Sequence, residues 1–139
     1  MEQKILGIDF GSVRIGLAVS DGLGLLAHPL QTLFWKNKER LVKDLKVIIN
    51  NKNISKIVVG MPYNMKGKNS PQTDKVILLV NFLRDEFTIP IDTVDERLTT
   101  RMAENMLRDA GKKASRNRDI IDQMAAVNIL QLYLDKNRN

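Results

Sequence analysis

Three acidic residues stand where an ordinary solvated charge has little reason to be. Asp9 closes the apolar run KILGIDF, Glu96 follows the apolar stretch IPIDTV within DERLTT, and Asp122 falls inside the apolar sector of a helical pattern. At roughly 100° per residue it projects between Ile129 and Tyr133, close to Ala125. A carboxylate in such a place is costly unless a donor, a cation or a metal compensates it. Singly, each has a simple structural reading. Asp9 can cap a turn through its side chain. Asp95 or Glu96 can be a turn acid or a partner for Arg97, and Asp122 can satisfy first-turn amides three residues after an Asp119 cap. Brought together at one sheet edge, three carboxylates require bound cations. Oxygen ligands without His or Cys suit Mg2+ or Mn2+. A pair of such ions about 3.5–4 Å apart can activate water and stabilise the leaving oxygen in phosphodiester cleavage. Gly11 would let a backbone or a phosphate approach closely.

The elements that must position these acids can be read from periodicity. Lys4 to Phe10 and Val13 to Ser20 form a hairpin across Gly11-Ser12. Leu25 to Phe34 supplies a third strand whose Pro29 implies an edge or a bulge. Leu41, Leu45, Ile48 and Ile49 recur at helical spacing between Asn37 and Lys52. KIVVG, Lys56 to Gly60, is a short apolar run of the kind found in central parallel strands. Ser70 and Pro71 open a helix as N-cap and first helical residue. Ile89 to Val94 is a further strand, LTTRMAENMLRDAG a helix stopped by Gly111, and DIIDQMAAVNILQLYLDK a final helix. The expected fold is therefore α/β. Three antiparallel strands precede parallel βαβα units in a mixed five-stranded sheet with helices on both faces.

The chain has 139 residues, a length expected to make a single domain over residues 1–139. It lacks cysteine, which removes disulfides and thiolate metal sites and suits a reducing, cytoplasmic setting. No apolar stretch approaches the length of a membrane span. A formal net charge of +6 points to an anionic partner, although a generally basic soluble protein would show the same balance. The basic segment GKKASRNR, with Lys112, Lys113, Arg116 and Arg118, has almost nothing to bury and reads either as a phosphate clamp or as a solvated loop.

ILGIDFGSVRIGLAVSD, VVGMPYNMKGK, VDERLTT and IDQMAAVNILQLYL, in this order and over nearly the whole chain, resemble the YqgF (RuvX) family of Holliday-junction resolvases. That family is implicated in maturation of the 16S ribosomal RNA precursor. The resemblance implies a ribonuclease H-like fold and divalent-metal nuclease chemistry. It carries the catalytic and metal-binding roles onto Asp9, Glu96 and Asp122, with Glu96 preferred over the adjacent Asp95. It also implies that Arg14, Asn64 and Arg97 lie near a nucleic-acid substrate. Relatives often carry an acid in the loop after GxPxN. This chain has Lys66 there, with Lys68 beyond it, so the loop is more basic and joins the expected nucleic-acid-binding set.

The expected activity is thus endonucleolytic cleavage of structured nucleic acid, either precursor rRNA or branched junction DNA, with ribosomal precursor particles as further partners and no membrane. Phosphate contacts alone do not choose between these substrates, and the sequence does not fix monomer or dimer. Two other readings compete. GIDFGS also resembles the first phosphate loop of the actin and sugar-kinase superfamily, but those proteins close two lobes around a nucleotide. A non-catalytic RNA-binding or ribosome-binding module would share the fold and the basic surface. Trp35 and Tyr63 are candidates for base stacking, Trp35 reading also as packing at a strand end. His28, before Pro29, reads as a structural strand or bend residue.

Overall fold

The computed structural model describes residues 3–97 and 118–137. Within them the chain runs β1 (Lys4–Phe10), β2 (Arg14–Ser20), β3 (Ala27–Phe34), α1 (Lys38–Lys52), β4 (Ile54–Met61), α2 (Pro71–Glu86), β5 (Ile91–Asp95) and α3 (Arg118–Lys136). The expected helix LTTRMAENMLRDAG and the segment from Gly111 to Asn117 lie outside the described residues. No helix among the described residues is long and apolar enough to cross a membrane.

The strands form one five-stranded sheet in the order β3-β2-β1-β4-β5. β1 pairs antiparallel with β2 and parallel with β4, β2 pairs antiparallel with β3, and β4 pairs parallel with β5. This is the mixed sheet expected from the sequence. Pro29 satisfies both expectations placed on it, because β3 is an edge strand and its register slips where Leu17 faces Gln31 but Ala18 faces Pro29. A bulge on an edge is where a residue without an N–H costs the ladder least.

β4 runs from Ile54 to Met61, longer at both ends than the Lys56 to Gly60 run read from the sequence, and β5 extends to Asp95. Three strand starts also differ from the sequence reading, each for a local reason. The hairpin connection includes Val13, whose carbonyl accepts the Trp35 N–H at 2.9 Å. Leu25 and Leu26 are outside β3, because their N–H groups donate to the Asp21 carboxylate at 2.9 and 3.1 Å. β5 begins after Pro90, whose carbonyl accepts from the Ile57 N–H at 3.0 Å.

The helix starts follow from side-chain chemistry. The Asn37 carboxamide oxygen accepts the Arg40 N–H at 2.7 Å, and Asn53 ends α1 in the left-handed region at φ 56°. Ser70 and Thr73 form a reciprocal capping box ahead of Pro71. The buried Thr73 hydroxyl also donates to the Pro62 carbonyl at 2.7 Å, which fixes the start of α2 against the loop leaving β4.

Strand alternation sorts the side chains between two cores. Leu6, Ile8 and Phe10 of β1, with Ile15, Leu17, Ile57, Val59 and Ile91, pack beneath α1 and α2. Ala18, Val58 and Val94 face α3 and meet Ala126, Ile129, Leu130 and Leu134. Helices therefore cover both faces. Asp9, one residue out of phase with Ile8 and Phe10, belongs to the α3 face.

Candidate active site

The site stands at the carboxyl ends of β1 and β5, against the first turns of α3. Asp9 is the cross-strand partner of Gly16 in β2. α3 packs tightly over Gly16, since a Cβ there would lie 2.5 Å from the backbone carbonyl carbon of Asp122. Gly60 in β4 is the register partner of Val94, and a Cβ on it would lie 2.7 Å from Oε2 of Glu96. Small residues in apolar strands thus make the room in which the acids meet.

Asp9 and Glu96 share a hydrogen bond. Burial pushes the Asp9 carboxyl up to about 6; the bond from Glu96 opposes that rise, and the charge of Asp122 adds to it. Burial, the charge of Asp9 and the bond to Asp9, with a further contribution from Asp95, push Glu96 up to about 8. Near neutral pH the pair therefore holds one proton, shared in the hydrogen bond between the two carboxyls.

Asp122 is near enough for its charge to bear on Asp9, but its own carboxylate accepts from Arg14 Nε at 2.9 Å. α3 already includes Asp119, so Asp122 is not the third residue of a helix capped there. As the side chains stand, no three acids among the described residues come close enough together to hold one ion. Two of the expected acids meet directly, and the third is held beside them by an expected nucleic-acid contact.

Alternation separates the two neighbouring acids at the end of β5, Asp95 its last residue and Glu96 directly after it. Val94 packs against α3, and Glu96, two residues on, keeps its phase. Asp95 instead accepts from Arg97 through Nε at 2.8 Å, Nη2 at 2.6 Å and the backbone N–H at 3.1 Å, which holds its carboxyl below the ordinary carboxylate range. The same alternation was available in the sequence, and it distinguishes these acids without any relative.

Asn64 builds the loop after β4. Its carboxamide oxygen accepts the N–H groups of Lys66 and Lys68, both at 3.0 Å, and Gly67 turns the chain at φ 79°. A Cβ on Gly67 would lie 3.0 Å from Arg97 Nη1, so this basic loop borders the guanidinium that follows Glu96. Lys66 and Lys68 are exposed on it. Lys112, Lys113 and Arg116 lie outside the described residues, and Arg118 enters only as backbone at the start of α3. Tyr63 and Trp35 both pack partly buried against the larger core, and His28 is exposed on β3.

A family profile described as RuvX, Holliday junction resolvase, matches residues 3–136. A protein of Natranaerobius thermophilus curated as "Putative pre-16S rRNA nuclease" is 40% identical over 136 residues, covering 98% of this chain and 96% of the relative. Its namesake from Oceanobacillus iheyensis is 42% identical over 135 residues, covering 96% and 98%. Among solved structures, Thermus thermophilus RuvC in complex with a Holliday junction superposes with a TM-score of 0.59 at 16% identity, covering 97% of this chain and 96% of that one. Fowlpox virus resolvase, solved with junction DNA, gives 0.57 at 8% identity over 99% and 100%. At such identities the likeness is one of fold, and that fold is the ribonuclease H-like one expected from the sequence.

Proposed function

The chain belongs to the RuvX family, and from that membership together with the acidic edge we propose a divalent-metal-dependent endonuclease acting on structured nucleic acid. Its preferred substrate is the 16S rRNA precursor, in keeping with the names its curated relatives carry. The observation that carries the reading is the hydrogen-bonded Asp9 and Glu96 pair with the Asp122 charge beside it. Three hard oxygen donors and no His or Cys fit Mg2+ or Mn2+, which Asp9, Glu96 and Asp122 would hold. Bound there, such ions supply an activated water and stabilisation of the leaving oxygen.

The protein's own groups have separate tasks. Asp9 and Glu96 must give up their shared proton before both carboxylates can serve as full ligands. Arg14 keeps Asp122 oriented toward β2 and offsets its charge. Asn64 shapes the loop that presents Lys66 and Lys68 as phosphate contacts, and Asp95 fixes Arg97 at its border.

The test is cleavage of a structured precursor rRNA end and a four-way DNA junction, side by side, with Mg2+, Mn2+ or chelator. Metal-dependent cutting of the RNA, lost in folded Asp9→Asn, Glu96→Gln and Asp122→Asn variants, is expected. Tight junction binding with symmetric incision and no RNA cut would move the substrate to branched DNA. Full activity in chelator would overturn the metal-dependent reading.

A further inference from the structure

A cavity of about 290 Å³ opens on the other face of β1 from the carboxylates, lined by Phe10, Trp35, Lys38, Gln72, Lys75 and Leu79 among others. Its parts belong to the same sheet edge as the acids. Phe10 directly follows Asp9, Trp35 follows the end of β3, Lys38 opens α1, and Gln72 and Lys75 lie in the first turns of α2. Two tethers fix it. The Trp35 N–H donates to Val13 at the hairpin tip, and Gln72 Nε2 donates to the Phe10 carbonyl at 3.3 Å.

An indole, a phenyl ring and aliphatic side chains form the walls, and two lysines stand among them. None of the ion pairs among the described residues uses Lys38 or Lys75. Lys38 instead holds its ammonium 5.2 Å from the Phe82 ring centroid. An apolar, aromatic recess with two cations outside those ion pairs matches a flat aromatic group carrying phosphate on either side, whereas a phosphate alone would leave the rings unused. The volume sits near the lower end of ligand pockets, about 300 Å³, which suits one such group.

We propose that this recess receives a single unstacked nucleobase of the substrate strand, next to the scissile position, with Trp35 as its stacking wall and Lys38 and Lys75 contacting the flanking phosphates. The proposal rests on the nuclease reading for its substrate class and adds to it a place where the strand is held open. Trp35 thereby combines the two roles its sequence position allowed, packing on the core with its buried side and offering its exposed side to a base.

Trp35 is the chain's one tryptophan, so its fluorescence reports on this recess. The full chain, in chelator to prevent cleavage, is titrated with a short single-stranded RNA and with a strand of equal length built from abasic units. Binding is followed separately by anisotropy of labelled strands. Saturable quenching by the RNA, absent with the abasic strand, is expected. Lys38→Gln with Lys75→Gln should weaken RNA binding about tenfold and lower the salt slope by about 0.7 per lost contact. Binding and metal-dependent cleavage with Trp35 undisturbed, or with equal quenching by the abasic strand, would overturn the base pocket and leave the nuclease reading standing. Failure of RNA or DNA to bind at all would overturn both.

Discussion

Arg14 and Asp122, 108 positions apart in the chain, are joined by a 2.9 Å bond from the guanidinium Nε to the carboxylate Oδ2. Their side chains are only 24% and 23% exposed, so solvent screens the pair less than it would a surface contact. The contact does two things. It ties α3 to β2 beside Asp9, and it occupies the third acid of the site with a cation from the protein itself.

In the proposed enzyme, Arg14 and a divalent ion compete for that carboxylate. Arg14→Gln is therefore expected to tighten Mg2+ binding several-fold while lowering metal-free stability by about 0.5–1 kcal/mol. Calorimetric Mg2+ titration and thermal melts in chelator read the two effects. Unchanged Mg2+ affinity would show that the ion does not draw on Asp122.

Metal-free stability should fall as pH rises. Asp9 and Glu96 titrate near 6 and near 8 in the folded chain, above the ordinary carboxylate values they regain on unfolding. The folded state thus binds more protons across that interval, and the stability linked to the pair is present at low pH and lost as pH climbs through about 6 to about 8. Urea melts in chelator from about pH 5 to about pH 8.5 should show a progressive loss, on the order of 5 kcal/mol. Glu96→Gln should flatten the upper part of that slope. Saturating Mg2+, which needs the pair ionised, should add stability increasingly over the same range. A metal-free stability that rises through this window would mean the two carboxyls do not share a proton.

Legibility in the sequence followed the range of the interaction. Ser70-Pro71 and Asn37 were readable because capping chemistry acts within a few residues. Asp9 and Glu96 were readable because a charge interrupts an apolar period. The starts of β3 and β5 shifted because Asp21 captures two strand amides and Pro90 has none to give. The Arg14 bond to Asp122 had no sequence signal, since only the topology of α3 on β2 brings those residues together. Gly16 and Gly60 carried a usable signal: each leaves an apolar strand position empty on the face where a helix must come close.

Asn64 is expected to act through its loop rather than by touching substrate. Its carboxamide oxygen holds the Lys66 and Lys68 amides, a task a carboxylate oxygen also performs. At about 0.3 M salt, where added surface charge is largely screened, Asn64→Asp should cleave within about threefold of the parent and Asn64→Ala at least about tenfold more slowly at subsaturating substrate. Equal losses in both variants would assign the side-chain amide to the substrate itself.

The two close-approach glycines should separate folding from chemistry. A methyl at Gly16 would run into the backbone carbonyl group of Asp122, its carbon at 2.5 Å, and the backbone of a packed helix cannot step aside without lifting off the sheet. Gly16→Ala is expected to cost about 3 kcal/mol or more, or to prevent folding. A methyl at Gly60 would meet Glu96 Oε2 at 2.7 Å, the end of a side chain that can rotate away, and also Ile129 Cδ1 and, at 2.9 Å, Ile129 Cγ1, of a buried side chain that must repack rather than a backbone that cannot. Gly60→Ala should therefore fold with a loss nearer about 1–2 kcal/mol. The rotation that accommodates it swings the Glu96 carboxylate off Asp9, and a displacement of about 1 Å at a reacting centre can reduce turnover about a hundredfold. Because the shared proton is lost with that contact, the pH slope of metal-free stability should flatten in the same variant. Thermal melts, kcat and the pH series together decide the matter. Parent-like turnover with an unaltered pH slope in Gly60→Ala would place Glu96 elsewhere and remove it from the proposed metal site.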